Sequence, residues 1–222
     1  PAAVEALKAS GLMPLKLPAV LGGLEADPVT QIEVIEAMTM IDTASAWCAT
    51  IGYTSMAWIG AFLPDAGVRQ VFSNGEIPLA ACSVMPAGIA LPEDGGYRVT
   101  GRWRFCSGVR HSAWITLGAV VQKPDRTAAE PPGPPELIFV VLPVSALTIY
   151  DNWQAMGLKG TGSCDVSVTD AFVAGEFTYP FEMNNPVPQR GGALYRLPLI
   201  AFVANEHAGF ALGVARRALN EL

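Results

Sequence analysis

The feature that most constrains this chain is the run at residues 97–105. Tyr97, Val99, Trp103 and Phe105 fall on one face, and Arg98, Thr100, Arg102 and Arg104 on the other. Period two with two unlike faces is the mark of a strand that covers a core on one side. Cys106, Ser107 and Gly108 then make a small-residue turn, and residues 115–121 leave it as a continuous apolar run. An aromatic-faced strand ending beside a hydroxyl and loop amides suits a flat, partly polar ligand. A plain hairpin with an aromatic core face explains the patterning equally well.

Charge and composition narrow the function classes. The formal net charge is −6, which argues against a nucleic-acid surface, because that needs a concentrated basic patch. No apolar run is long and unbroken enough to suggest a membrane span. The nearest, residues 197–219, is interrupted by Asn205, Glu206, His207, Arg216 and Arg217. No secretory leader is visible. Cys48, Cys82, Cys106 and Cys164 are scattered, and with two histidines they form no metal motif, so no metal is expected. Free thiols fit a reducing compartment, and the expected location is cytoplasmic.

Both ends read as cut. Residue 1 is Pro, and Leu222 falls inside a periodic helical pattern. That pattern is apolar nearly all round, through Leu199, Ile200, Phe202, Val203, Phe210, Leu212, Val214 and Leu219. Such a helix is expected to be buried on more than one side, by a missing part of the protein or by a partner chain.

Taken in order, residues 5–10 end a helix at Gly11. Asp27 followed by Pro28 predicts an N-cap and a first helical residue. Ile32, Ile35, Met38 and Ile41 are the expected apolar stripe of that helix, with Glu33, Glu36 and Asp42 on a solvated face. A second helix spans about 43–62, and a third opens at Pro64 and Asp65 and stops at Asn74 and Gly75. From Pro78 to about Phe177 the chain reads as short strands and turns, with a proline-stiffened loop over 123–136. A Pro/Asn/Gly linker at 178–192 leads to a final helix that starts near 194–198. The order is α+β: helices, a β unit that suggests a barrel or sandwich, then a helix again.

Several motifs have bland readings. Arg98, Arg102 and Arg104 suit a solvated strand face. His111 lies in a polar turn, where most histidines are surface residues. His207 beside Glu206 suits a polar pair at a helix seam better than a general base. The stretch 156–163, with Gly157, Gly160, Thr161, Gly162 and Ser163, can offer backbone N–H groups to an anion. It has neither phosphate-loop nor dinucleotide spacing, so a tight turn is the favoured reading.

The whole chain resembles the acyl-CoA dehydrogenase superfamily. Within it, the chain is most similar to the two-component flavin-dependent monooxygenases. The segments that carry the resemblance are Gly11-Leu12-Met13, Leu17-Pro18, Leu21-Gly22-Gly23-Leu24, Asp42-Thr43-Ala44-Ser45-Ala46-Trp47, Gly95 through Gly108, and Met156 through Ser163. The run at 95–108 is the most specific of them. The resemblance implies an N-terminal helical domain (1–77), a middle β-barrel (78–177), a linker (178–193) and the first helix of a C-terminal bundle (194–222). It also implies that the rest of that bundle is absent.

Site residues follow from the same resemblance. Phe105 and Ser107 fall where dehydrogenases of the family carry a Trp and a Thr that meet the flavin. Ser107 is then the expected catalytic and flavin-contacting hydroxyl, with Phe105 against the ring. Ser83, Thr161 and Ser163 are further cofactor-binding candidates, and Trp47, Tyr53 and His111 are substrate-pocket candidates. The implied cofactor is reduced FMN or FAD, delivered by a separate NAD(P)H:flavin reductase. The implied co-substrates are O2 and a small, apolar, aromatic compound, and the implied assembly is a homotetramer. The run from Val84 to Ala90 lacks the acidic residue and Ser-Asp pair of true dehydrogenases, which weakens a CoA-thioester substrate. An acyl-CoA dehydrogenase with tightly bound FAD and a non-catalytic flavin-binding scaffold are the alternatives.

Overall fold

The computed structural model describes residues 2–73, 75, 77–122 and 134–222. Asn74 of the expected helix stop, and residues 123–133 of the expected proline-rich loop, lie outside the described residues. Five α-helices and seven strands are present among the described residues: α1 (Ala2–Ala9), α2 (Pro28–Ile41), α3 (Thr43–Phe62), α4 (Asp65–Val71), β1 (Ala80–Glu93), β2 (Gly96–Cys106), β3 (Trp114–Val121), β4 (Leu137–Pro143), β5 (Thr148–Ile149), β6 (Cys164–Ala174), β7 (Thr178–Pro180) and α5 (Leu199–Asn220). The α+β order expected from the sequence is the order found.

The helix starts are set by local chemistry. Asp27 accepts hydrogen bonds from the backbone N–H groups of Val29 and Thr30, and Pro28 occupies the first helical position. Asp42 closes α2 and also caps α3, where its carboxylate accepts from the Ser45 N–H at 2.9 Å. The buried line of α2 is Gln31, Ile35 and Thr39, not the expected stripe. Ile41 is exposed. Glu36 is not on a solvated face either, because Arg216 of α5 holds it at 2.6 Å.

The sheet has the order β5-β6-β2-β1-β3-β4-β7. Only β1 and β3 are parallel; every other pair is antiparallel. β4 and β6 lie far apart in that order, yet Ile138, Val140 and Leu142 share one core with Val166 and Val168. The sheet therefore curls around a single apolar centre as an open barrel, with β5 and β7 as its edges. Trp103 fills that centre and donates its indole N–H to the Gly118 carbonyl at 2.7 Å. A Cβ on Gly88 or Gly101 would collide with its ring. Small residues on the neighbouring strands thus make room for one large side chain.

A second core joins the helices to the outside of the barrel. Trp58 of α3 stacks between Phe139 of β4 and Phe202 of α5, with ring centroids 5.4 and 5.9 Å away. Ser55 donates to the Ala81 carbonyl at 2.7 Å, which pins α3 to β1.

α5 begins at Leu199, after a short 3-10 turn at Ala193–Arg196, later than the expected start. It buries only one face, through Phe202, Glu206, Gly209 and Gly213. Gly209 and Gly213 let it lie directly on the α2 backbone. Ile200, Leu212, Val214 and Leu219, expected to be covered, are exposed in this chain.

Candidate functional site

Three segments converge on Ser107. The first is the end of β2. Two steps along β6, from Val166 to Cys164, face three steps along β2, from Trp103 to Cys106. That extra residue is a β-bulge, and Phe105 takes it up with a left-handed backbone at φ 60°. Phe105 consequently leaves the face of Trp103 and becomes 59% exposed, while Cys106 joins Trp103 in the core and Ser107 is buried against Trp47 of α3. The alternation read from the sequence breaks at this residue, so Phe105 does not share the core face with Val99 and Trp103.

The second segment is the start of α3. The Asp42 cap fixes the first turn, and Trp47 follows in the next one. Its indole N–H donates to Ser107 Oγ at 3.0 Å. The third is the 3-10 turn Lys159–Thr161 and the entry to β6. Ser107 Oγ lies 2.8 Å from Ser163 Oγ, and Ser163 Oγ lies 2.6 Å from Thr161 Oγ1. The Thr161 hydroxyl donates to the Leu158 carbonyl at 2.9 Å. Two amides of this turn are committed within it: those of Thr161 and Gly162 donate to the carbonyls of Leu158 and Lys159. The segment is therefore the tight turn that the sequence favoured, and it carries hydroxyls inward.

The turn is tied on two sides. Gly108 N–H donates to the Thr161 carbonyl at 2.9 Å, and the Cys48 thiol donates to the same oxygen at 3.6 Å. Burial pushes the Cys48 thiol up to about 11, with the Asp42 charge adding to the shift. Trp153 donates to the Leu158 carbonyl at 3.1 Å and meets Phe105 edge to face at 6.2 Å. The Arg104 guanidinium lies over the Phe105 ring at 4.9 Å.

Trp47, Phe105, Ser107, Thr161 and Ser163 are thus brought together, and Ser83 reaches their edge through a long 3.4 Å bond to the Arg104 carbonyl. Two pocket candidates are not part of the cluster. Tyr53 is a core residue, packed with Leu15, Ile35 and Ala49, and its hydroxyl donates to Met38 Sδ at 3.7 Å. It lies on the inward side of α3, which burial alone decides. Burial also pushes its phenol well above the ordinary range. His111 is exposed in the 3-10 turn Val109–His111, as its polar turn predicted. The arginine face of β2 is paired rather than only solvated: Arg102 holds Asp165 at 2.9 Å and lies over Tyr150, and Arg98 holds Glu93.

Two features escaped the sequence reading. α5 packs His207 and Phe210 against Trp47, at 5.5 and 4.9 Å between ring centroids. Glu206 does not pair with His207. It is fully buried, meets Lys16 Nζ at 3.2 Å and accepts from the Thr54 hydroxyl at 2.6 Å. Burial pushes the carboxyl up and the ammonium down, and their mutual attraction opposes both shifts. Single charges in apolar runs, Lys16 between Leu15 and Leu17 and Glu206 within α5, were the available signal. A cavity of about 300 Å³ lies elsewhere, walled by Trp58, Phe139, Tyr179, Tyr195 and Phe202. None of the Ser107 cluster lines it.

Comparison with known proteins finds relatives along nearly the whole chain. The chain is 30% identical over 219 residues to indole-3-acetate monooxygenase of Pseudomonas putida, covering 99% of this chain and 53% of that protein. It is 30% identical over 201 residues to the oxygenase subunit HsaA of a flavin-dependent monooxygenase from Rhodococcus jostii, covering 88% of this chain and 50% of that protein. The chain belongs to the acyl-CoA dehydrogenase-fold family of flavin-dependent monooxygenase oxygenase components. A solved structure, XiaF from Streptomyces sp. in complex with FADH2 and glycerol, superposes with a TM-score of 0.84 at 28% identity. The match covers 98% of this chain and 54% of XiaF. The chain spans about half the length of the family relatives it matches. No protein-family model matches it. Among the described residues no group of His, Cys, Asp or Glu suits a metal ion, and no helix is long and apolar enough to cross a membrane.

Proposed function

We propose that the intact protein is the oxygenase component of a two-component flavin-dependent monooxygenase. It takes reduced FMN or FAD from a separate NAD(P)H:flavin reductase and oxygenates a small, apolar, aromatic substrate with O2. The observation that carries this reading is the buried hydroxyl of Ser107, 5% exposed, held by Trp47 and Ser163 beside the exposed ring of Phe105. A flat heteroaromatic ring with polar atoms on one edge fits such a donor set: aromatic walls and one fixed hydroxyl. The relatives support it, since one is named for an aromatic substrate and another binds FADH2.

When bound, reduced flavin supplies the electrons that activate O2, one atom of which goes to substrate and the other to water. The chain supplies position and dryness. Ser107 holds the polar edge of the ring, Phe105 packs against it, and Ser83 borders it. Thr161 and Ser163 act on the Ser107 hydroxyl, and Trp47 closes the site from α3. Four free cysteines fit a cytoplasmic location. A homotetramer completes the proposal; light scattering on the intact protein tests it.

The decisive experiment mixes the intact protein anaerobically with reduced FMN or FAD, admits oxygen with an aromatic substrate, and measures product and hydrogen peroxide. Ser107→Ala is expected to fold and to release peroxide and oxidised flavin with little product. Unchanged coupling in that variant removes Ser107 from the reaction. A protein that purifies yellow and oxidises acyl-CoA thioesters is the dehydrogenase instead, and one that leaves both flavin and oxygen untouched is a scaffold.

A further inference from the structure

β2 ends with a cysteine and β6 begins with one. Cys106 and Cys164 are register partners across the antiparallel ladder, and both side chains enter the barrel core. Residues opposed in this way stand about 4.5–5.5 Å apart at Cα. A disulfide spans about 4.4–6.8 Å between the same atoms. Both cysteines are free thiols. Their surroundings differ. Cys106 is fully buried, its thiol donates to the Trp103 carbonyl at 3.8 Å, and burial pushes it up to about 12. Cys164 Sγ accepts from the Arg110 guanidinium at 3.4 Å. That contact puts a positive charge beside the sulfur, the surroundings in which thiols react as nucleophiles. Arg110 is itself exposed and paired with exposed Asp151 at 2.7 Å. Such a surface pair is a weak tie, so the side chain over Cys164 moves aside at little cost. The next residues in the chain are Ser107 and Ser163, whose hydroxyl oxygens meet at 2.8 Å.

We propose that Cys106 and Cys164 are an oxidative modification site, a dithiol that hydrogen peroxide closes into a disulfide. Cys164 reacts first: its sulfur takes one oxygen of the peroxide, the O–O bond breaks, and a sulfenic acid forms as water leaves. Cys106 then attacks that sulfur. An S–S bond forms, the S–O bond breaks, and the hydroxide departs with the Cys106 proton as a second water. Two thiols give up two electrons, and one peroxide becomes two waters. The source of the oxidant rests on the flavin reading above, in which activated oxygen released without product leaves as peroxide beside this pair. The pairing itself does not need that source. Neither other cysteine has such a partner: Cys82 faces Thr116 across β1 and β3, and Cys48 lies on α3. Closing the bond pulls on the residues next to Ser107 and Ser163 and displaces their contact. Turnover therefore falls while the disulfide stands and returns when it is reduced.

The test treats the intact protein with hydrogen peroxide, blocks the remaining thiols with iodoacetamide under denaturing conditions, and maps the digest by mass spectrometry without reductant. The expected product is one pair of peptides joined through Cys106 and Cys164, with Cys48 and Cys82 alkylated, and dithiothreitol separates the pair. In Cys106→Ala the reaction stops at the sulfenic acid, which dimedone traps on Cys164. In Cys164→Ala, Cys106 stays reduced and is alkylated. Free Cys106 and Cys164 in the oxidised wild type, a bond from either to Cys48 or Cys82, or dimedone on Cys106 each overturn the proposal. Product formation in the oxidised wild type falls by about tenfold or more, the scale of a small misplacement at a reacting centre, and dithiothreitol restores it. Full activity with the bond in place overturns its control of the site. A second arm replaces added peroxide with reduced flavin and air, with catalase present to remove peroxide formed in solution. The same bond is expected. A bond that forms with peroxide but not in this arm keeps the modification site and removes the flavin reading alone.

Discussion

Trp47 and Ser107, 60 residues apart, meet through a single 3.0 Å hydrogen bond from an indole N–H to a serine oxygen. One belongs to the helical layer and the other to the barrel, so this bond joins two layers at the site. Trp47→Phe keeps an aromatic ring against Phe210 and removes the donor. The expected cost is about 0.5–1.5 kcal/mol, the net worth of one such bond. It reads as a lower urea midpoint with an unchanged denaturant slope. A variant as stable as the wild type means that the bond contributes nothing.

The buried pair of Lys16 and Glu206 predicts a non-additive result. Each single change, Lys16→Met or Glu206→Gln, leaves a buried polar partner without its match. Lys16→Met, which strands a carboxylate, is expected to cost about 3–5 kcal/mol. The double variant Lys16→Met with Glu206→Gln recovers much of that loss. Equilibrium unfolding of the three variants forms the cycle, and simple additivity contradicts the coupling.

Backbone contact between α2 and α5 predicts a steric penalty. A Cβ on Gly209 would lie 2.6 Å from the Ile32 carbonyl, and one on Gly213 would lie 2.5 Å from Thr39 Cβ. Main-chain atoms cannot turn aside as a flexible side chain can. Gly209→Ala is therefore expected to destabilise by about 1–3 kcal/mol, although alanine favours helix. Thermal melting decides it, and a stabilised variant refutes the close approach.

The buried thiols predict a loss of stability in alkali. Burial pushes Cys48 up to about 11 and Cys82 up to about 12. An unfolded chain releases these protons near the ordinary thiol value of about 8.5. Above that pH the unfolded state binds fewer protons than the native one, so stability falls as pH rises through the folded values. Urea midpoints measured from neutral pH to about 11 should decline, and Cys48→Ser should flatten part of the decline. An identical profile in that variant assigns the loss to other groups.

Local chemistry was legible where a few neighbouring residues decide the outcome. Asp27 with Pro28 announced α2, and the alternation from Tyr97 to Trp103 announced β2. The family resemblance put Ser107, Thr161 and Ser163 at one site, and they form one hydrogen-bonded cluster. Which face of a helix turns inward was not legible in apolar helices. Tyr53 and Trp47 both lie on α3, and nothing in the composition around them says that one enters the core while the other reaches Ser107. Long-range pairings such as Lys16 with Glu206 leave no periodic trace at all.

Phe105 shows how the site depends on parity. Along a flat strand, odd and even positions keep their sides, and Ser107 would then share the side of Trp103 through Phe105. The single surplus residue opposite β6 shifts the count by one. Deleting one residue between Trp103 and Cys106 would restore the even rhythm and carry every later side chain to the opposite side. The orientation of the Ser107 hydroxyl is thus written in the number of residues that precede it, and substitutions that preserve that number can vary the aromatic ring without moving the oxygen.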